Sequence, residues 1–199
     1  MGKERKYAHN PQAIKNLAIG GILTALVVVL QMMGTFVKFG PFAISLVLIP
    51  IVLGAALCDY KISTWLGFVF GVVVLFTDAA AFLAVSVPGT VITVLLKGAL
   101  CGLAAGLTYK ALEKVNRYVA VIAAAMVCPI VNTGVFLLGC VVFFFDAIRA
   151  MGADAGFDNV AKFLIFGMVG INFVVELTVN LILSPVVVRL LDFSKKINK

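Results

Sequence analysis

Charge is scarce in this sequence. Only 13% of its 199 residues are Asp, Glu, Lys or Arg, against about a quarter in a typical soluble domain. Histidine is nearly absent: His9, in the polar N-terminal stretch, is the single one, so no buried Ser/His or Cys/His pair can be assembled for nucleophilic catalysis. No GxxxxGK[ST] phosphate loop occurs, which excludes ATP hydrolysis by that route. The four cysteines, Cys58, Cys101, Cys128 and Cys140, have no CxxC spacing and read as small apolar side chains rather than as metal or disulfide ligands. No enzyme and no cofactor are expected; the residues point to binding.

What the chain has instead is apolar surface. Hydrophobic residues make up 63% of it, more than one small core can hide, so lipid is the expected solvent. At about 20 apolar residues per crossing, there is room for an all-α integral membrane bundle of six helices and no large soluble domain. The expected segments are Leu17–Met33, Phe42–Cys58, Ile62–Thr77, Thr90–Ala111, Tyr118–Phe145 and Ala161–Leu191. They form a single membrane domain over residues 17–191, between a tail of residues 1–16 and another of residues 192–199. The tail "MGKERKYAHNPQAIKN" is long and polar, and no small-residue cleavage site marks the run after it. The first helix is therefore expected to be retained rather than removed as a signal, and the tail lacks the sixth-position Ser/Thr of a myristoylation signal.

The positive charges assign sidedness. With the N-terminus inside, the inner flanks collect Lys3, Arg5, Lys6, Lys15, Lys61, Lys110, Lys114, Arg117, Arg189, Lys195, Lys196 and Lys199, while the outer connections hold Lys38, Arg149 and Lys162. That bias places both termini in the cytoplasm. The outer connections are then "GTFVKFGP", "DAAAFLAVSVPG" and "DAIRAMGADAGFDN", the last two long enough to fold over an outer mouth.

Polar side chains within the apolar segments are few: Gln31, Lys97, Asn132, Thr133, Asn172, Glu176, Thr178 and Asn180. Such groups face protein or water rather than lipid. At ~1.5 Å per residue, Lys97 lies roughly 10 Å below the outer end of its helix and Asn172 roughly 16 Å below that of the last. Lys97, Asn132, Thr133, Asn172 and Glu176 are the candidate substrate-binding residues, lining one cavity open to the outside. Asn172, Glu176 and Asn180 are spaced by four and share a helix face. The plainer alternatives stand beside this: Lys97 as a structural charge paired with Glu176 or Asp78, Asn132 as a partner for backbone freed by Pro129, Asn180 as packing glue. Of Phe143–Phe145, one ring could roof a ligand, the rest forming an interfacial belt, and Trp65 reads as an interfacial anchor.

Small residues recur at spacing four. The first helix, "LAIGGILTALVVVL", pairs Gly20 with Thr24 and Gly21 with Ala25; the fourth, "GALCGLAAG", aligns Gly98, Gly102 and Gly106. Such faces permit close helix approach, either within the fold or onto a partner.

The basic tail, the small-residue face, the six segments, and the phrases "SLVLIPIVLGAAL", "GFVFGVVVL", "PGTVITVLLKGALCGLAAGLTYKAL" and "CPIVNTGVFLLG" together resemble the S components of energy-coupling factor (ECF) vitamin transporters. The likeness runs from Ile14 to Leu191 and is greatest to the pantothenate-type branch. It implies a vitamin binder with an outward-facing pocket, capped by the first and third outer loops and docking through helix one on a membrane scaffold subunit driven by two cytoplasmic ATPases. The subunit is thought to topple in the membrane to release its cargo. The docking motif falls on Gly21 and Ala25, where the family commonly has alanines. For pantothenate, Lys97 would answer the carboxylate, and Asn132, Thr133 and Asn172 the hydroxyls and amide. Other vitamins of the folate, riboflavin or pyridoxine type are alternatives. The rivals are a multi-span scaffold protein without a ligand and, third, a stand-alone channel or proton-coupled carrier. No nucleic-acid partner is expected.

Overall fold

The computed structural model describes residues 11–34, 38–39, 42–43 and 46–197. The polar residues before Pro11, most of the first outer connection, Asn198 and Lys199 lie outside the described residues. Helices dominate: α1 (Pro11–Gly34), α2 (Leu48–Leu57), α3 (Tyr60–Thr77), α4 (Ala80–Leu83), α5 (Val87–Leu112), α6 (Arg117–Phe143), α7 (Phe145–Asp154), α8 (Val160–Lys162) and α9 (Gly170–Ile197). A π-helical stretch, Phe163–Val169, joins α8 to α9, and two-residue strands at Lys38–Phe39 and Phe42–Ala43 pair antiparallel between α1 and α2.

Five helices, α1, α3, α5, α6 and α9, are long and apolar enough to cross a membrane. The second expected segment behaves differently. Its helix, α2, has 10 residues, about 15 Å at the α-helical rise, half the ~30 Å hydrocarbon thickness. Apolar all round, α2 is buried as such helices are: Leu48, Ile51 and Val52 are almost wholly enclosed, and α1, α3, α5, α6 and α9 all pack against it. It is the hub of the bundle.

Helix starts follow local chemistry. Asp59 caps α3 by accepting from the Lys61 and Ile62 amides, both at 2.9 Å. Asn116 does the same for α6 with Tyr118 and Val119, and Ser86 caps α5 just ahead of Pro88. These are the residue types whose short polar side chains satisfy free amide donors at a helix start. The third outer connection, expected as a loop, contains α7. Its buried Ile148 and Gly152 are four apart, and it closes in a Schellman turn, with the Gly156 amide donating to Ala153 and the Phe157 amide to Gly152. Gly156 takes φ 79° there, where only glycine is unstrained.

The small residues of α5 are spent within the fold. A methyl group on Gly98 would strike the Gly67 carbonyl, and one on Gly102 the Ser63 carbonyl, so α3 and α5 touch backbone to backbone. The Ser63 hydroxyl donates to the Gly102 carbonyl across this seam. On α1 the two registers divide. A methyl on Gly20 would come within 3.2 Å of the Ile62 side chain, whereas one on Gly21 would meet nothing within 4 Å.

Candidate functional site

At one end of the bundle, α1, α3, α4, α5 and α6 enclose a cavity that opens to the surface. Val74, Val94, Phe82, Phe136 and Phe144 supply apolar walls, while Gln31, Asp78, Thr90, Thr93 and Lys97 bring polar atoms into it. Phe82 stands edge-on to Phe136 and Phe144, with ring centroids 5.6 and 5.0 Å away, a favoured geometry for the ring quadrupoles. Of the three consecutive phenylalanines 143–145, Phe144 alone is buried and lines the cavity.

Lys97 stands between two rings, its ammonium 5.4 Å from the centroids of both Phe70 and Phe136. Two aromatic faces partly replace the water that a half-buried ammonium loses, and they hold the charge at the cavity wall. Glu176 and Asp78 are the acidic side chains that act on it electrostatically. Asp78 is held in turn: the Gln31 amide donates to its Oδ2 at 2.7 Å and the Thr77 hydroxyl to the same oxygen at 3.0 Å. Gln31 is itself buried, so this bond ties α1 to the C-terminal end of α3.

The expected site residues separate into three groups. Lys97 lines the cavity. Asn132, Asn172 and Glu176 are buried within the bundle, on α6 and α9, and the side-chain oxygens of both asparagines have no hydrogen-bond partner. Asn132 lies one turn inward of Phe136, so it occupies the helix face that carries a cavity wall. Thr133 is elsewhere: it lines a larger, apolar groove between α6 and the π-helical stretch, with Ile130, Leu137, Ile165 and Phe166. Asn180 donates to the Glu176 carbonyl at 2.8 Å, a bond within its own helix that suits the packing role.

The row Leu164, Met168, Asn172, Glu176, Asn180, Ser184 stays buried along its whole length. In an α-helix a spacing of four precesses by roughly 40° per step. The π-helical stretch, Phe163–Val169, is wound more loosely, which counters the drift between Leu164 and Met168.

Gln31, Thr90, Thr93 and the rings of Phe70, Phe82 and Phe136 were not among the expected site residues. A signal for two of them existed: Thr90, Thr93 and Lys97 are three and four apart on α5, the spacing of one helix face. The phenylalanines carried no such mark among 16 in the chain.

A charged, ring-flanked cavity at one end of a bundle with five membrane-length helices fits a membrane receptor for a small solute, and the comparison with known families agrees. The family described as "ECF transporter, substrate-specific component" matches residues 15–188. The chain belongs to that family. It is a multi-pass, substrate-specific membrane subunit of an ECF transporter, a class of substrate-binding transport subunits rather than enzymes. No curated protein and no solved structure matches the chain.

On this S component, the face of α1 carrying Gly21 and Ala25 is exposed, flanked by Leu17 at 74% and Ile22 at 70% exposure. Gly20 is buried against Ile62, and the Thr24 hydroxyl, which donates to the Gly20 carbonyl at 2.7 Å, accepts from the Trp65 indole at 3.3 Å. Trp65 thus braces α1 against α3 from outside the core.

Proposed function

We propose that this S component captures a small carboxylate-bearing vitamin, with pantothenate the best fit, from outside a bacterial cell. Delivery then follows docking on a membrane scaffold subunit powered by two cytoplasmic ATPases. The observation that carries the reading is Lys97, an ammonium set between two aromatic rings in the wall of an open cavity. A carboxylate brought there gains charge-assisted hydrogen bonds in a site poor in water. Asn132 and Asn172, whose carbonyl oxygens are buried without partners, are proposed to accept from ligand hydroxyl or amide groups, because a buried acceptor left unpaired is costly. Glu176 is proposed to balance Lys97 in the empty state.

Six crossings with both termini cytoplasmic follow if the chain ahead of α2 completes the second crossing. The cavity mouth, at the C-terminal end of α3 and the N-terminal end of α5, then opens outward, and Lys61, Lys110, Lys114 and Arg117 lie at the opposite, cytoplasmic end. The exposed Gly21 and Ala25 are proposed as the scaffold contact, since small side chains let a partner helix approach closely.

Mass spectrometry of small molecules released from detergent-purified protein, without added ligand, tests the reading directly. Stoichiometric pantothenate is the expected result, and another vitamin in its place would keep the class and correct the substrate. An empty protein that also shows no thermal shift with a panel of vitamins would overturn vitamin capture and favour a scaffold role.

A further inference from the structure

Three helical threonines, Thr24, Thr64 and Thr90, turn their hydroxyls back to the carbonyl four residues earlier, at 2.6 to 2.7 Å. This is how a threonine in an apolar helix commonly satisfies its hydroxyl. Thr93 does not. Its side chain is turned against Gly139 of α6, where an added methyl would overlap it. Its Oγ1 is buried without a partner, the residue being 3% exposed, and Thr93 lines the cavity one turn outward of Lys97. Across the same cavity Asp78 offers a fixed acceptor, since Gln31 and Thr77 both donate to Oδ2 and neither to Oδ1.

We infer that Thr93 and Asp78 are specificity-determining contacts that read a hydroxyl on the substrate, so that the cavity selects a hydroxylated carboxylate over the same carboxylate without hydroxyls. The inference rests on the vitamin-capture reading and adds to it. Lys97 takes the carboxylate. The ligand hydroxyl donates to Asp78 Oδ1, an acceptor-only group when ionised, and exchanges a hydrogen bond with the Thr93 hydroxyl. A ligand lacking that hydroxyl leaves both protein groups buried and unpaired, which is how a polar site rejects a close analogue.

The test uses the full-length protein in detergent and two probes, pantothenate and 3,3-dimethylbutanoyl-β-alanine, which keeps the carboxylate and amide but has no hydroxyls. Calorimetric titration of the wild type is expected to show a preference for pantothenate of at least about tenfold. Thr93→Val and Asp78→Asn should each collapse that preference, and Thr93→Ser should retain it. The empty Thr93→Val protein should melt no lower than wild type, because the substitution removes an unpaired hydroxyl at nearly constant shape. Equal binding of the two probes by wild type, or an undiminished preference in Thr93→Val, would overturn the inference while vitamin capture stands. So would equal loss of both probes together with a lower melting temperature, the mark of a structural role. If another vitamin binds in place of pantothenate, both variants must weaken it at least about tenfold, and unchanged affinity would again overturn the inference. A wild type that binds neither probe and no vitamin in a panel would remove the functional reading, and this inference with it.

Discussion

Helices α1 and α5 carry the same sequence device and use it in opposite ways. On α5 the glycines at spacing four are sealed against α3, so closely that a methyl group on Gly98 or Gly102 would strike backbone carbonyls. The neighbouring face carries Thr90, Thr93 and Lys97 to the cavity. On α1 one register, Gly20 with Thr24, is taken up by Ile62 and Trp65, while the next, Gly21 with Ala25, faces open space. A small-xxx-small pattern therefore says that a helix can be approached closely, not by what. The more central helix spends the pattern on its own fold, and the peripheral one leaves one register open.

Substitutions can break this contrast, and their effects on the isolated chain should fall in order. Gly98→Leu forces a side chain into a backbone-to-backbone contact that cannot yield as a flexible side chain would, so the expected loss exceeds about 3 kcal/mol. The protein should fail to purify as a monodisperse species in detergent. Wild-type chromatography and melting for this variant would show that α3 and α5 do not need their close contact.

Lys97→Met comes next, on the cavity face of the same helix. Binding of an anionic ligand should weaken by about 1.5–3 kcal/mol, the worth of a hydrogen bond to a charged group, or roughly ten- to a hundredfold, while the protein stays folded. Titration with pantothenate reads the effect, and unchanged affinity would remove Lys97 from the site.

The two registers of α1 can then be set against each other. Gly20→Leu presses on Ile62 and should lower stability by about 1–3 kcal/mol, whereas Gly21→Leu points into open space and should stay within about 0.5 kcal/mol of wild type. Thermal melting measures both. Gly21→Leu should nevertheless abolish co-purification with the scaffold subunit and uptake by cells. If it assembled normally, the exposed face of α1 would not be the docking face. The smallest effect is expected from Thr133→Val, in the apolar groove away from Lys97: ligand affinity should remain within about twofold, a few tenths of a kcal/mol.

Much of this architecture is legible in the amino-acid sequence. The membrane class and the presence of an ammonium at Lys97 within an apolar helix are displayed directly by the sequence, and Asp59, Ser86 and Asn116 are residue types suited to the helix starts they cap. The second segment is less legible: its apolar run has crossing length, and only packing shows that its helical part is 10 residues long and that five other helices pack against it. Thr133 misleads in a related way. It adjoins Asn132 in sequence, but neighbouring residues on a helix point about 100° apart, so one is buried in the bundle and the other lines an outer groove. Thr93 escapes notice because a threonine in an apolar helix ordinarily bonds back to its own backbone, and no sequence pattern announces the one that does not.

Composition and spacing dictate that this chain dissolves in lipid, that α3, α5 and α6 begin at capping residues, and that an ammonium has to be accommodated within an apolar helix. These follow from the cost of taking polar groups out of water. Which glycines are sealed and which remain open, which polar groups converge on one cavity, and that two rings from α3 and α6 hold Lys97 between them are settled only when the helices pack. Each of those outcomes depends on the angle and distance at which separate helices meet, set by the fit of many side chains at once rather than by any one stretch of chain.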